Sequence, residues 1–276
     1  MTRKCLAIPG VSFLLFAALI PANAQTSPPA NPAPAPPSAS SPVAQQANLP
    51  DEELGRLYIV RKEYREAQQI FHRLTVEQPK NAVYWNELGI TLHNQGDLSG
   101  ALKCYEKSSK LDAHYADAVN NAGTVYYERK KYSKAVRSYK KAIGIKADFA
   151  PFYLNLGYAY FGEKQYEDSI GSFRKALQLD PDALEASRSR TGTVIQDRSI
   201  SADRAKFYFL LAKSFAQAGN LDRCIVYLRK AKDEGYQDMN AVKSDPAFAS
   251  VLNNPSVQEL LVVRPPETSQ TTQPQP

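Results

Sequence analysis

The amino-acid sequence predicts an all-α fold: a solenoid of about five helical hairpins closed by a short C-terminal helical cap. Three observations carry that expectation. Gly55, Gly89, Gly123 and Gly157 recur at one fixed step of 34 residues, the difference 89 − 55. Four more columns keep the step: Tyr58, Leu92, Tyr126, Tyr160; Tyr64, Leu98, Tyr132, Tyr166; Ala67, Ala101, Ala135, Ser169; and Phe71, Tyr105, Tyr139, Phe173. Polar turn residues and prolines punctuate the periods at matching places.

In chain order, residues 1–24 read as a secretory signal. Arg3 and Lys4 precede the uncharged apolar run Val11 to Ile20, and Pro21-Ala22-Asn23-Ala24 supplies a small-residue cleavage site before Gln25. The run is shorter than the roughly 20 residues a spanning helix needs. An uncleaved N-terminal anchor is the alternative. Cys5 lies before the run, which is the wrong side for a lipoprotein acceptor. No later segment is apolar enough to span, so no transmembrane segment is expected after cleavage, and the protein is expected in the periplasm or outside the cell. Residues 25–50 interleave proline with Ala and Ser, a composition that favours extended backbone and builds no core.

Residues 51–183 hold four hairpins in strict register. Glycine in each first helix lets the second helix come close, because no side chain holds the two apart. The Ala/Ser column does the same from the facing helix. The aromatic columns are expected to fill the gap between one hairpin and the next, where each buries a large apolar area. Asn94-Gln95-Gly96-Asp97 and Glu163-Lys164-Gln165 mark the turns within hairpins. Gln78-Pro79 and Asp180-Pro181 stop second helices, since a residue before proline is pushed out of the helical region.

A fifth hairpin occupies residues 205–235, with Tyr208, Leu211-Ala212, Phe215, Cys224 and Leu228 in the same columns. Ala212 follows Gly157 by 55 residues rather than 34, so residues 184–204 form an insert. This arginine-bearing insert could be a loop or a helical extension broken at Gly192. Residues 236–264 form the cap: Asp245-Pro246 and Asn254-Pro255 look like starts of two short helices whose Phe248, Leu252, Val257, Leu260 and Leu261 cover the end of the stack. Residues 265–276 are a polar tail expected to be disordered.

The formal charge is +6 from 34 Lys+Arg and 28 Asp+Glu, and removal of Arg3 and Lys4 leaves about +4, weak for a nucleic-acid binder. Cys104 and Cys224 lie in non-adjacent hairpins, which argues for two buried free thiols rather than a bridge. His72, His93 and His114 share no metal-ligand spacing with each other or with the cysteines. There is no phosphate loop, nucleophile elbow or zinc-protease helix. The expectation is a protein that is not an enzyme and takes no cofactor or metal.

The columns resemble those of the tetratricopeptide repeat family, whose pattern runs W-x2-L-G-x2-Y, A-x3-F, P. The second hairpin has Trp85, Leu88-Gly89, Leu92, Ala101 and Tyr105; the fourth has Tyr153, Leu156-Gly157, Tyr160, Ser169, Phe173 and Pro181. The stretch Ser189 to Thr193, with Gln196 to Ser199, Phe207-Tyr208-Phe209 and Asp245 to Phe248, resembles the C-terminal part of exported bacterial members. The resemblance implies a right-handed superhelix whose first helices line a concave groove. It further implies that Asn86, His93, Asn120, Asn121, Tyr127, Leu154, Asn155, Tyr158 and Phe161 form a partner-binding groove. There the asparagines would hold an extended peptide backbone, an amide offering both donor and acceptor, and the aromatics would anchor it. The alternative is that the amides bond within the stack and the aromatics are packing. The carboxylate clamp of chaperone-binding members is not expected, because Glu52, Arg56, Pro151 and Asn155 do not supply its basic set. Three functions follow from the resemblance: an envelope scaffold for a protein or extended peptide, a structural subunit of an envelope, secretion or surface-appendage assembly, or a groove for a glycan or other small ligand.

Overall fold

The computed structural model describes residues 49–184 and 203–262. The signal, most of the linker, nearly all of the insert and the tail lie outside the described residues. Within them the secondary structure is helical. Four hairpins pair α1 (Asp51–Val60) with α2 (Tyr64–Glu77), α3 (Ala82–Asn94) with α4 (Leu98–Leu111), α5 (Ala116–Glu128) with α6 (Tyr132–Ile145), and α7 (Ala150–Gly162) with α8 (Tyr166–Leu179). A fifth pairs α9 (Arg204–Gln217) with α10 (Leu221–Asp233). Each second helix also packs on the first helix of the next hairpin, and α8 packs on α9 directly across the insert.

The glycine column works as its position suggests. A Cβ built on Gly89 would stand 2.5 Å from the Tyr105 ring, on Gly123 2.7 Å from Tyr139, and on Gly157 2.7 Å from Phe173. The last aromatic column therefore seats on the glycine of its own hairpin, and Tyr105 also clusters with Ala122 and Val125 of the next one. Backbone approach at the glycine creates the slot, and Phe71, Tyr105, Tyr139 and Phe173 fill it with no exposed surface. Ser169, in the alanine column, donates to the Gly157 carbonyl at 2.9 Å and stays as buried as the alanines.

Turn chemistry repeats too. Lys62, Gly96, Lys130 and Lys164 occupy one column, and all four have positive φ, between 56° and 85°. Gly96 adopts that region freely, while the three lysines pay a steric penalty for it. The loops between hairpins are clasped from the fourth repeat position: Trp85 Nε1 donates to the Pro79 carbonyl at 2.9 Å, and Tyr153 Oη to the Ala147 carbonyl at 3.0 Å.

The stack ends in α11 (Ala241–Ser244), a 3-10 turn (Pro246–Phe248) and α12 (Pro255–Leu261). Asp245 and Asn254 cap the last two through the backbone N–H groups of Ala247 and Ser256, both at 2.9 Å. Phe248, Val257, Leu260 and Leu261 are buried and Leu252 is half-buried. The 3-10 geometry replaces the first of the two expected short helices, and α11 was not legible in the sequence. Cys104 and Cys224 are buried free thiols.

Candidate protein-binding face

Hairpins 2, 3 and 4 touch through their first helices, α3 against α5 and α5 against α7, more closely than through their second helices. The array therefore curves with first helices on the inner side. That crowding decides the fate of the nine predicted groove residues. All are buried, none more than 8% exposed.

The four asparagines form a hydrogen-bonded ladder across three hairpins. Asn155 Nδ2 donates to Asn120 Oδ1 at 2.9 Å, Asn120 Nδ2 to Asn121 Oδ1 at 3.2 Å, and Asn121 Nδ2 to Asn86 Oδ1 at 3.0 Å. Asn86 Nδ2 then donates to the Tyr115 hydroxyl at 3.2 Å. Buried polar groups must be paired to be tolerated, and among the described residues no buried side-chain N or O lacks a partner. A peptide would reach these amides only by displacing their bonds to one another.

The remaining five pack. Tyr158 stacks on Phe207 at 5.5 Å between ring centroids and meets Phe173 edge-on at 5.3 Å. Phe161 meets Phe207 at 5.1 Å, and Tyr127 meets Tyr132 at 5.3 Å. Leu154 lies in the same core cluster. His93 Nε2 lies 2.9 Å from Glu128 Oε1, and its Nδ1 lies 3.4 Å from the Tyr105 hydroxyl. For Tyr158 and Phe161 the physical reason is α9, which lays Phe207 over these two aromatic positions of α7.

The same repeat positions also place Val83, Ile90, Asp117 and Pro151 toward the groove, and these stay half-buried, as does Glu87, while Arg56 is exposed. Arg56 bridges two hairpins, at 2.9 Å from Glu52 and 3.2 Å from Glu87, and the Tyr84 hydroxyl donates to Glu52 at 3.2 Å. Burial pushes the Glu87 carboxyl up, against the pull of Arg56. Burial likewise pushes Asp117 up, opposed by Lys146. Sequence reasoning used Glu52 and Arg56 only to set the carboxylate clamp aside, and it missed Glu87 and Tyr115. The available signal was Glu87's place in the sixth repeat position, shared with Asn121 and Asn155.

Among the described residues no group of His, Cys, Asp and Glu could hold a metal ion, and no helix is long and apolar enough to cross a membrane. Family models described as tetratricopeptide repeat match residues 53–113, 150–183 and 205–233, and a TPR repeat model matches 123–164. The chain belongs to the tetratricopeptide repeat family. Arrays of this family are protein-interaction scaffolds, and this chain has that architecture. No curated protein is a significant match. Among solved structures, the chain is similar to a crystal structure of MamA, at 18% identity over 66% of this chain and 94% of that one, with a TM-score of 0.46. It is similar to MamA residues 41 to the end from Desulfovibrio magneticus RS-1, at 21% identity over 68% and 95%, TM-score 0.47. It is also similar to YrrB, titled a TPR protein with an unusual peptide-binding site, at 18% identity over 69% and 88%, TM-score 0.44. At such identities the likeness is one of fold, and no residue role is taken from it.

Proposed function

We propose that this tetratricopeptide protein is an exported scaffold of the cell envelope that holds an extended segment of a partner protein along its inner face. The observation that carries the reading is the continuity of that face: the first helices of hairpins 2, 3 and 4 pack side by side and are tied by the asparagine ladder. On this face Arg56 is exposed and pairs with Glu87, and Glu87, Val83, Ile90 and Asp117 are half-buried. A rigid face lowers the ordering cost of binding, and mixed charge beside apolar patches gives orientation and contact area. In this reading the amides support the surface and the more accessible residues touch the ligand.

Two experiments test it. Peptides are selected from a random library on the full chain and then bound to Arg56→Glu and Asp117→Lys variants. Charge reversal should weaken the selected peptides by tenfold or more, the cost of a charged interface contact being roughly 1.4 kcal/mol or higher. Peptides that bind both variants as well as the parent sink the inner-face assignment. Export is tested separately by fractionation and by sequencing the mature N-terminus, expected at Gln25.

A further inference from the structure

The excess positive charge of this chain sits on one hairpin. Residues 129–147 hold eight Lys and Arg and no Asp or Glu, against a formal +6 for the whole chain, so everything else is net acidic. Seven of the eight are exposed, and Arg129 is half-buried with its guanidinium donating to Ser99 Oγ at 2.8 Å. α6 turns Lys134, Arg137 and Lys141 outward while Ala135, Tyr139 and Ala142 face the core. The flanking second helices add Lys103, Lys107 and Lys110 on α4, and Arg174 and Lys175 on α8.

Five cations elsewhere are held by carboxylates, while Lys206 and Lys230 lie over rings as the cations of this segment do. Arg56, Arg73, Arg204, Lys213 and Arg223 all take part in ion pairs. No cation of residues 129–147 is in an ion pair among the described residues. Instead Lys134 lies over the Tyr126 ring, Lys140 over Tyr160 and Lys146 over Phe149, at 5.6, 5.3 and 4.3 Å from the centroids. Of the nearby acids, Glu106 accepts from the Tyr126 hydroxyl at 3.1 Å and Glu163 from the Ser133 hydroxyl, while Lys146 acts at longer range on Asp117, and Asp168 and Glu163 on Lys140.

The patch lacks what several anionic partners require. Among the described residues the exposed large apolar ones, Val60, Val76, Leu221, Val226 and Val262, all lie outside it, so no anchor for a folded partner's core projects here. Single-stranded nucleic acid is held by bare aromatic platforms, and the rings of this hairpin are half-buried or buried, with an ammonium group over Tyr126. Charge without insertion or stacking suits an extended surface of diffuse negative charge. The helix is about 21 Å long, and the second helices lie on the outer side of the curve, where a flat surface can approach.

We propose that the outer face of the third hairpin docks on the anionic headgroups of a lipid bilayer, leaving the inner face free for a protein partner. This assignment is independent of what the inner face binds. The full chain is sedimented with vesicles of phosphatidylcholine alone and of phosphatidylcholine mixed with phosphatidylglycerol. Phosphatidylcholine gives the baseline contributed by the apolar run at Val11 to Ile20. Each cation at an anionic surface contributes about fivefold in partitioning, so the triple variant Lys134→Gln, Arg137→Gln, Lys141→Gln should bind mixed vesicles about 100-fold less. A matched triple variant of the first hairpin, Lys62→Gln, Arg65→Gln, Lys80→Gln, removes the same charge and should lose only a few-fold. Raising salt should release the parent from mixed vesicles, which tests the point without any substitution. Equal binding to both vesicle types, equal losses in the two triple variants, or salt-insensitive binding would overturn the proposal. So would parent protein that ignores mixed vesicles yet binds duplex DNA or polyglutamate through the same three residues, because the patch would then serve a soluble polyanion.

Discussion

One substitution should have opposite signs at two glycines of the same hairpin. Gly157 and Gly171 are both helical, on α7 and α8. Replacing either with alanine removes the same backbone freedom from the unfolded chain and improves helix propensity by about 1 kcal/mol. At Gly171 a new Cβ meets nothing within 4 Å, so the gain survives. At Gly157 it would stand 2.7, 2.8 and 2.9 Å from three atoms of the Phe173 ring, where carbon contacts normally lie at about 3.5–4.0 Å. The ring would have to move by roughly 1 Å, and it has nowhere to go. Phe173 has no exposed surface and is held by Tyr158 at 5.3 Å and Phe207 at 5.8 Å.

Overpacking of that kind costs about 1–3 kcal/mol, and a boxed-in ring belongs at the upper end. Net of the propensity gain, Gly157→Ala should lose about 2 kcal/mol and Gly171→Ala should gain about 0.5–1 kcal/mol. For a folded region of this size that is a fall of roughly 4–8 °C in Tm against a rise of roughly 1–4 °C, read by far-UV circular dichroism on the full chain. A Gly157→Ala variant as stable as the parent would refute the reasoning, because the glycine column would then reflect something other than close approach.

The ladder predicts that Asn120→Ala, which removes the acceptor of Asn155 and a donor to Asn121, lowers unfolding free energy by about 1–3 kcal/mol in urea titration. In the turn column, Lys164→Gly should raise Tm by relieving a φ of 61°, and Gly96→Ala should lower it by straining a φ of 85°, each through about 1 kcal/mol. Burial pushes the Cys224 thiol up to about 12, and burial with help from Asp97 pushes Cys104 up to about 11. Native protein at neutral pH should therefore leave both unmodified by a maleimide that labels them at once in urea. Asp117 is raised by burial, so its charged form weighs on the folded state as pH climbs from the ordinary carboxylate range through the raised value. Asp117→Asn should match the parent at the acid end and exceed it in Tm at neutral pH, and a constant difference across the pH series would count against that cause.

The fold was legible because repetition multiplies a weak local signal. One Leu-Gly-x2-Tyr proves little, but columns repeating at one step cannot arise from local propensity, and both the hairpins and the glycine slots followed from them. The binding face was not legible in the same way. Repeat position assigns a side chain to a helix face, yet whether that face is open depends on how closely neighbouring first helices approach, which is a property of the assembled stack. Asn86 and Asn120 satisfied the positional rule and were buried by it. Phe207 could not be foreseen as the cover of Tyr158 and Phe161, because it arrives from beyond an insert that breaks the register.

The buried amides answer a problem that repetition itself creates. Four hairpins with nearly interchangeable apolar columns offer one another similar apolar faces, so buried area alone discriminates little between neighbours. A hydrogen bond is directional, and an amide left over in a dry interface costs more than a made bond returns. The second and third hairpins contribute Asn86 on one side and Asn120 with Asn121 on the other, and the fourth contributes Asn155, while the first contributes none. In the observed order every amide of the ladder is paired, so the ladder adds a directional requirement to a core that is otherwise nearly repetitive. The same bonds tie Asn86 to Tyr115, which lies close to Glu87 and Arg56. The interior that ties the hairpins together therefore also supports the surface offered to a partner.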